Sequence, residues 1–65
     1  MNITIMRGER PTGPQMSATC DDPSFVIAVK IVDEDEADAF RRLSQATAEF
    51  VAEYLERKRE RLAAL

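Results

Sequence analysis

The side chains with the greatest capacity for chemistry are five carboxylates crowded into one short run. They are Asp33, Glu34, Asp35, Glu36 and Asp38. A calcium loop needs ligands at spaced positions and a turn-forming glycine, which this run lacks. A magnesium site needs converging carboxylates, whereas the start of a helix points successive side chains in different directions. Two interpretations remain open: charge at a helix N-terminus, or an acidic contact patch that mimics phosphates on a basic target.

Other catalytic groups are scarce. The 65 residues contain no histidine and one cysteine, Cys20. A Cys–His nucleophile, a structural zinc site and an internal disulfide are therefore excluded. A chain this small also has little volume for a pocket of roughly 300 Å³ that could shift a carboxylate pKa. We predict that the protein is not an enzyme, and we assign no catalytic, metal-binding or cofactor-binding residue.

The acidic run opens a stretch, residues 33–64, that we predict to be one long amphipathic helix. It contains no Gly or Pro and is rich in strong helix formers. Asp33 is the expected N-cap, with Glu36 completing an acidic variant of the capping box. Acids at the start and bases at the end suit the helix macrodipole. At about 100° per residue, one arc collects the apolar side chains. They are Phe40, Leu43, Thr47, Phe50, Val51, Tyr54, Leu55, Leu62 and Leu65.

The first half of the chain predicts a small antiparallel sheet. Residues 1–6 alternate apolar and polar side chains, which indicates a strand. Residues 7–24 hold both glycines and predict a loop, with a possible short strand at 16–20. Residues 25–32 are rich in β-branched side chains and predict the second main strand. The side chains expected to be buried are Ile3, Ile5, Phe25, Ile27, Val29 and Ile31.

Together these elements predict a single α+β domain over residues 1–65. A sheet of two or three antiparallel strands packs on one long C-terminal helix, in the order β-(β)-β-α. A helix of about 45 Å overshoots a strand of about 26 Å. Its last apolar side chains therefore need cover from elsewhere.

The length of the chain also argues for a partner. A chain of this size buries only about 60% of its unfolded surface and needs a further source of stability. We therefore predict a homodimer. The predicted dimer or partner interface is Phe40, Leu43, Thr47, Phe50, Val51, Tyr54, Leu55 and Leu62.

The net charge of −3 is concentrated in the middle of the chain. Residues 21–38 carry seven acids and one lysine, while residues 39–65 carry six bases and four acids. This distribution argues against duplex binding, which needs a basic face, and suits a target protein with a basic surface. The chain shows no signal peptide or membrane segment, so we expect no membrane partner. The lone cysteine is typical of a reducing cytoplasm.

A strand followed by a helix that reads Phe50-Val51-Ala52-Glu53-Tyr54-Leu55-Glu56 resembles the ribbon–helix–helix regulators and antitoxins. The resemblance covers residues 26–60. It implies a dimer whose paired strands read the major groove of DNA. Lys30 would then be the polar reader on the strand, and Ser44–Thr47 the point where the helix breaks.

Two functional hypotheses follow. The favoured one is a small cytoplasmic regulatory or inhibitory protein that works as a homodimer by binding another protein. Small size, acidity and a lack of catalytic groups are typical of phage or plasmid accessory proteins that inhibit a host enzyme or defence complex. The alternative is a dimeric ribbon–helix–helix-like DNA-binding regulator or antitoxin.

Overall fold

The computed structural model describes residues 1–64, and the place predicted for Leu65 on the apolar arc lies outside the described residues. The chain forms β1 (Ile3–Arg10), β2 (Gly13–Asp21), β3 (Ser24–Lys30) and α1 (Glu36–Ala63). The strands make one antiparallel sheet in the order β1-β2-β3. The predicted α+β fold is therefore confirmed, with three strands ahead of a single C-terminal helix.

The first hairpin is much tighter than the loop predicted for residues 7–24. That loop was wrong, whereas the possible strand at 16–20 is present as part of β2. Residues 7–10 continue β1, and only Pro11–Thr12 separate it from β2. Gly13 closes the turn with a φ of 116°, a backbone conformation that glycine adopts at little cost. Pro14 is the second residue of β2, and its carbonyl accepts a hydrogen bond from the N–H of Ile31 at 3.0 Å. The turn is therefore limited to Pro11 and Thr12, and β2 is a full central strand.

The junction between β3 and α1 also differs from the prediction. The helix begins at Glu36, and its N-cap is Asp35, whose Oδ1 accepts the N–H of Asp38 at 3.0 Å. Asp33 and Glu34 precede the cap with φ values of 54° and 57°. These two left-handed residues turn the chain off the sheet, so Asp33 cannot be the N-cap as predicted. The strand predicted to reach residue 32 likewise ends at Lys30.

A small core lies between α1 and the two strands beneath it. Ala39, Leu43 and Thr47 are spaced four residues apart, which puts them on one stripe of the helix, and all three are buried. Ala18 and Ala39 are fully buried, and their small side chains allow the helix and the sheet to approach closely. The core cluster is Met16, Ala18, Ile31, Ala39 and Leu43, with Ile27 and Val29 packed against it. Phe25 and Ile31 are also buried, so the predicted helix-facing side of the third strand is confirmed.

Among residues 1–64, α1 packs on β2 and β3 but not on β1. Ile3 and Ile5 stand opposite Cys20 and Ala18 in the sheet, so they point to the same side as the core. They are nevertheless 39% and 42% exposed. Their predicted burial was wrong because a helix about 10 Å wide spans two strands spaced about 4.8 Å apart.

The helix runs well past the end of the sheet. Its 28 residues are about 42 Å long, against about 30 Å for the longest strand. The molecule measures 48 × 19 × 18 Å and has a radius of gyration of 14.2 Å, compared with roughly 11 Å for a compact chain of this length. Residues 55–63, which we call the overhang, are exposed throughout. The predicted overshoot is thus present in the structure.

Thr47 provides a test of the core. Its Oγ1 is buried and has no hydrogen-bond partner among the described residues. Thr47→Val keeps the shape and removes this desolvated hydroxyl, so we expect the free energy of unfolding to rise by about 1 kcal/mol in urea denaturation. The control is Leu43→Ala, one turn earlier on the same stripe, which is expected to lower it by about 2–5 kcal/mol. If Thr47→Val were less stable than the parent, the conclusion that the Thr47 hydroxyl is buried without a hydrogen-bond partner would be contradicted.

Candidate interaction surface

Arg7 of β1 forms ion pairs with three acidic side chains, one on its own strand and two after the sheet. Its Nη2 donates to Glu34 Oε2 at 3.1 Å, its Nη1 donates to Glu36 Oε1, and its Nε donates to Glu9 Oε1 at 3.0 Å. The hydrogen bond that Arg7 donates to Glu34, followed by those to Glu36 and Glu9, raises the pKa of the guanidinium above its usual range. Arg7 thus ties the left-handed turn and the start of α1 to the uncovered strand.

Asp38 forms a second ionic group on the first turns of α1. Its Oδ2 accepts from Arg42 Nε at 2.8 Å, and its Oδ1 accepts from Arg41 Nη2 at 2.7 Å. The hydrogen bond from Arg42, and then that from Arg41, lowers the pKa of the carboxyl below its ordinary value of 3.8. Arg42 also donates through Nη2 to the carbonyl of Lys30 at 2.6 Å, which fastens this side of the helix to the end of β3.

Four of the five carboxylates in the predicted acidic patch therefore have a role inside the chain. Asp35 caps the helix, Glu34 and Glu36 hold Arg7, and Asp38 holds two arginines. Asp33 lies exposed in the turn. These side chains point in different directions, and within residues 1–64 no group of three potential ligands is placed to hold a metal ion. What they share is one end of the molecule, where acids outnumber bases.

The residues predicted for the dimer or partner interface divide into two sets. Leu43 and Thr47 are buried in the core of the chain itself, at 0% and 9% exposure. Phe50 is 38% exposed and packs on Phe25 with ring centroids 4.8 Å apart and planes at 50°. These three side chains hold the monomer together. The second, accessible set is Phe40, Leu55 and Leu62, while Val51 and Tyr54 are partly buried beside it.

The accessible set lies along one side of α1, and the position of Arg42 shows which side it is. Arg42 reaches the end of β3, so its side of the helix faces β3. Phe40 is two residues earlier, about 160° away around the axis, and therefore lies on the opposite side, above β1. Val51, Leu55 and Leu62 fall within about 60° of Phe40. We call these four residues the apolar flank.

The apolar flank continues onto the sheet through Ile3 and Ile5, which we call the β1 floor. Sequence analysis expected these two isoleucines to be buried and so missed them as surface residues. Their alternation predicts a strand but cannot show that the covering helix is one strand too narrow. Flank and floor are exposed apolar side chains on the same side of the core, of the kind that marks a binding site on a small protein.

The overhang carries its charges unevenly around the helix. Glu56 and Glu60 fall on the side of Arg42, opposite the apolar flank, whereas Lys58 and Arg61 fall within about 60° of Phe40. Tyr54, Lys58, Arg61 and Leu62 line a shallow hollow of about 310 Å³ there. The flank therefore ends in bases, while it begins at Glu36 beside the acidic turn.

Comparisons with protein-family models, with curated proteins and with solved structures found no match. No helix of the described chain combines the length and the apolar character needed to cross a bilayer. The functional assignment therefore rests on the geometry of the flank, the floor and the acidic end.

The ion pairs of Asp38 predict a pH dependence of stability. The lowered pKa of Asp38 in the folded state means that the unfolded chain binds a proton first as the pH falls. The stabilisation is present above the unfolded pKa of about 3.9 and is lost as the pH falls through the folded value. Asp38→Asn is expected to flatten the slope of stability against pH below about pH 4. Urea midpoints at several pH values measure it. Glu49→Gln, on the exposed back of the same helix, is the control and should keep the parent slope.

Proposed function

We propose that this chain is a small regulatory or inhibitory protein that acts by binding another protein and works as a homodimer. The observation that carries the proposal is the apolar surface formed by flank and floor. Phe40, Leu55 and Leu62 are 49%, 50% and 63% exposed, and Ile3 and Ile5 are exposed on β1. Large apolar side chains that are exposed together lower the solubility of a protein, and a bound partner that covers them removes this effect.

The acidic end supports a target with a basic surface. Glu9 and the five carboxylates between residues 33 and 38 face only Arg7, Arg41 and Arg42 in their ion pairs, so the end keeps an excess of negative charge. Because the arginines hold the carboxylates in place, the patch loses little side-chain entropy when a partner binds.

The class of protein we propose is an accessory inhibitor of the phage or plasmid type, directed at a host enzyme or defence complex in the cytoplasm. The support is compositional: a chain of 65 residues, net acidic, without histidine and with a single cysteine. Such a chain is suited to block a partner by contact rather than to transform a substrate.

The alternative, a ribbon–helix–helix-like DNA-binding regulator, receives less support from the fold. Three strands precede the helix here, and α1 continues unbroken through Ser44–Thr47. The resemblance around residues 50–56 therefore does not extend to the topology. A gel shift on duplex DNA that weakens steeply with salt would favour this alternative, because duplex binding releases counterions.

Site-specific photo-crosslinking tests the protein-binding proposal. A photoreactive amino acid is placed at Val32, which is exposed beside the acidic turn. In lysate of cells that naturally express the protein, we expect one target protein to be captured from this position. Ala28 is the control position, because it lies exposed on the side of the sheet away from the helix.

A charge variant shows whether the acidic end is used. Asp33→Asn with Glu34→Asn removes two charges and keeps a residue that adopts positive φ readily. We expect capture to fall by at least about tenfold, which corresponds to about 1.4 kcal/mol. Glu49→Gln with Glu53→Gln makes the same charge change on the back of α1 and should leave capture unchanged. Equal capture from Val32 and Ala28 would contradict the proposal.

A further inference from the structure

The geometry points to an antiparallel pairing of two copies of this chain, in which the overhang of each α1 lies along the apolar flank and β1 floor of the other. This inference rests on the proposed function, because it names the occupant of the same surface and specifies how the homodimer is built. Four observations carry it: the size of the excess surface, the space above β1, the direction of the charges and the spacing of the flank residues.

The surface of the chain is too large for a compact monomer. Its accessible area is 5037 Å², whereas a monomer of 7.3 kDa is expected to expose about 4,200 Å². The excess of roughly 800 Å² equals the area that each partner buries in an interface of standard size. A second copy with the same excess has the right amount of surface to cover it, and an interface between identical surfaces closes with twofold symmetry.

The uncovered part of the sheet has space for a helix. α1 lies over β2 and β3, and β1 is the next strand along. Packed helices stand 8–10 Å apart, about the width of two strands. A second helix beside α1 therefore lies above Ile3 and Ile5 and touches Phe40 at the same time. The overhang is the only stretch of helix in the described chain that is exposed on all sides and so available for this position.

The charges select the antiparallel direction. On the side of the apolar flank, α1 begins at Glu36 and ends with Lys58 and Arg61. Two flanks in parallel place like charges together at both ends. Two flanks in antiparallel orientation place the bases of each copy beside the acidic turn of the other, which favours this orientation.

The spacing of the flank residues supports the same direction. Apart from Phe40, the side of α1 that carries the flank has small side chains in its first half and large ones in its second half, at heptad-like intervals. Antiparallel pairing sets each small residue against a large one of the other copy. The facing pairs are Ala37 with Leu62, Ser44 with Leu55, and Ala48 with Val51. In this register Phe40 faces the hollow lined by Tyr54, Lys58, Arg61 and Leu62.

Cysteine crosslinking tests the direction and the register. In a Cys20→Ala background, Ser44→Cys and Leu55→Cys chains are oxidised separately and as a mixture. Antiparallel pairing predicts that the mixed disulfide exceeds either self-linked dimer by at least about tenfold. The reason is that Ser44 of one copy stands about 16 Å from Ser44 of the other in this register. Self-linked dimers from each single variant would show parallel pairing and overturn the inference.

Sedimentation measurements test the pairing without cysteines. The parent should sediment as a dimer that weakens as salt is added, since opposite charges meet at both ends. Leu55→Asp is expected to weaken the association of the two copies by more than about tenfold, the effect seen when an important interface residue is lost. Val26→Asp, at a residue 71% exposed on the other side of the sheet, is the matched control and should leave it intact. Circular dichroism confirms that both variants stay folded.

The outcomes separate this inference from the proposed function. A parent that is monomeric at about 100 µM, with target capture retained at Val32, overturns the antiparallel pairing but not protein binding. Interfaces of standard size hold at far lower concentrations. A dimer with the mixed disulfide, and no captured target, supports the pairing while the regulatory function fails.

Discussion

The structure depends on one constraint of width: a single helix has to cover a sheet of three strands. Because α1 lies over β2 and β3, the core is limited to the stripe Ala39, Leu43 and Thr47 and the strand residues beneath it. The same placement leaves Ile3 and Ile5 uncovered. The small core and the exposed apolar surface therefore have one cause, and any change that moved α1 towards β1 would uncover β3 instead.

The ionic groups at the head of the helix maintain this placement. Arg42 ties α1 to the carbonyl at the end of β3, and Arg7 ties Glu34 and Glu36 to β1. These contacts come from both edges of the sheet, so they fix the angle at which the helix leaves the turn. They are exposed, and exposed ion pairs contribute little to stability individually. Their role is to position the helix, while burial of Leu43 and its neighbours supplies most of the free energy.

The sequence predicted the elements whose signals are local and periodic. The alternation in residues 25–31 and the absence of Gly and Pro after Asp33 were sufficient for β3, for α1 and for the overshoot of the helix. The first hairpin was missed because Gly8, Gly13 and Pro14 were interpreted as a loop, although a two-residue turn needs only Gly13 at positive φ. The helix start was misplaced because an aspartate in a left-handed conformation, such as Asp33, cannot be distinguished in the sequence from an aspartate that caps a helix. The exposed β1 floor depends on how many strands one helix can cover, which no local pattern contains.

The overhang adds a consequence for dynamics. Isolated helices of this length are marginal in water, since tertiary packing supplies most helical stability. Residues 55–63 have no tertiary packing within the described chain, and their helical form depends on propensity, charge spacing and continuity with the packed half of α1. A partner that covers Leu55 and Leu62 adds the missing packing. Binding and helix stability are therefore coupled in the same segment, and the C-terminal turns are stabilised in proportion to the occupancy of the apolar flank. The length of α1, which exceeds what its own sheet can cover, is in this sense part of the binding surface.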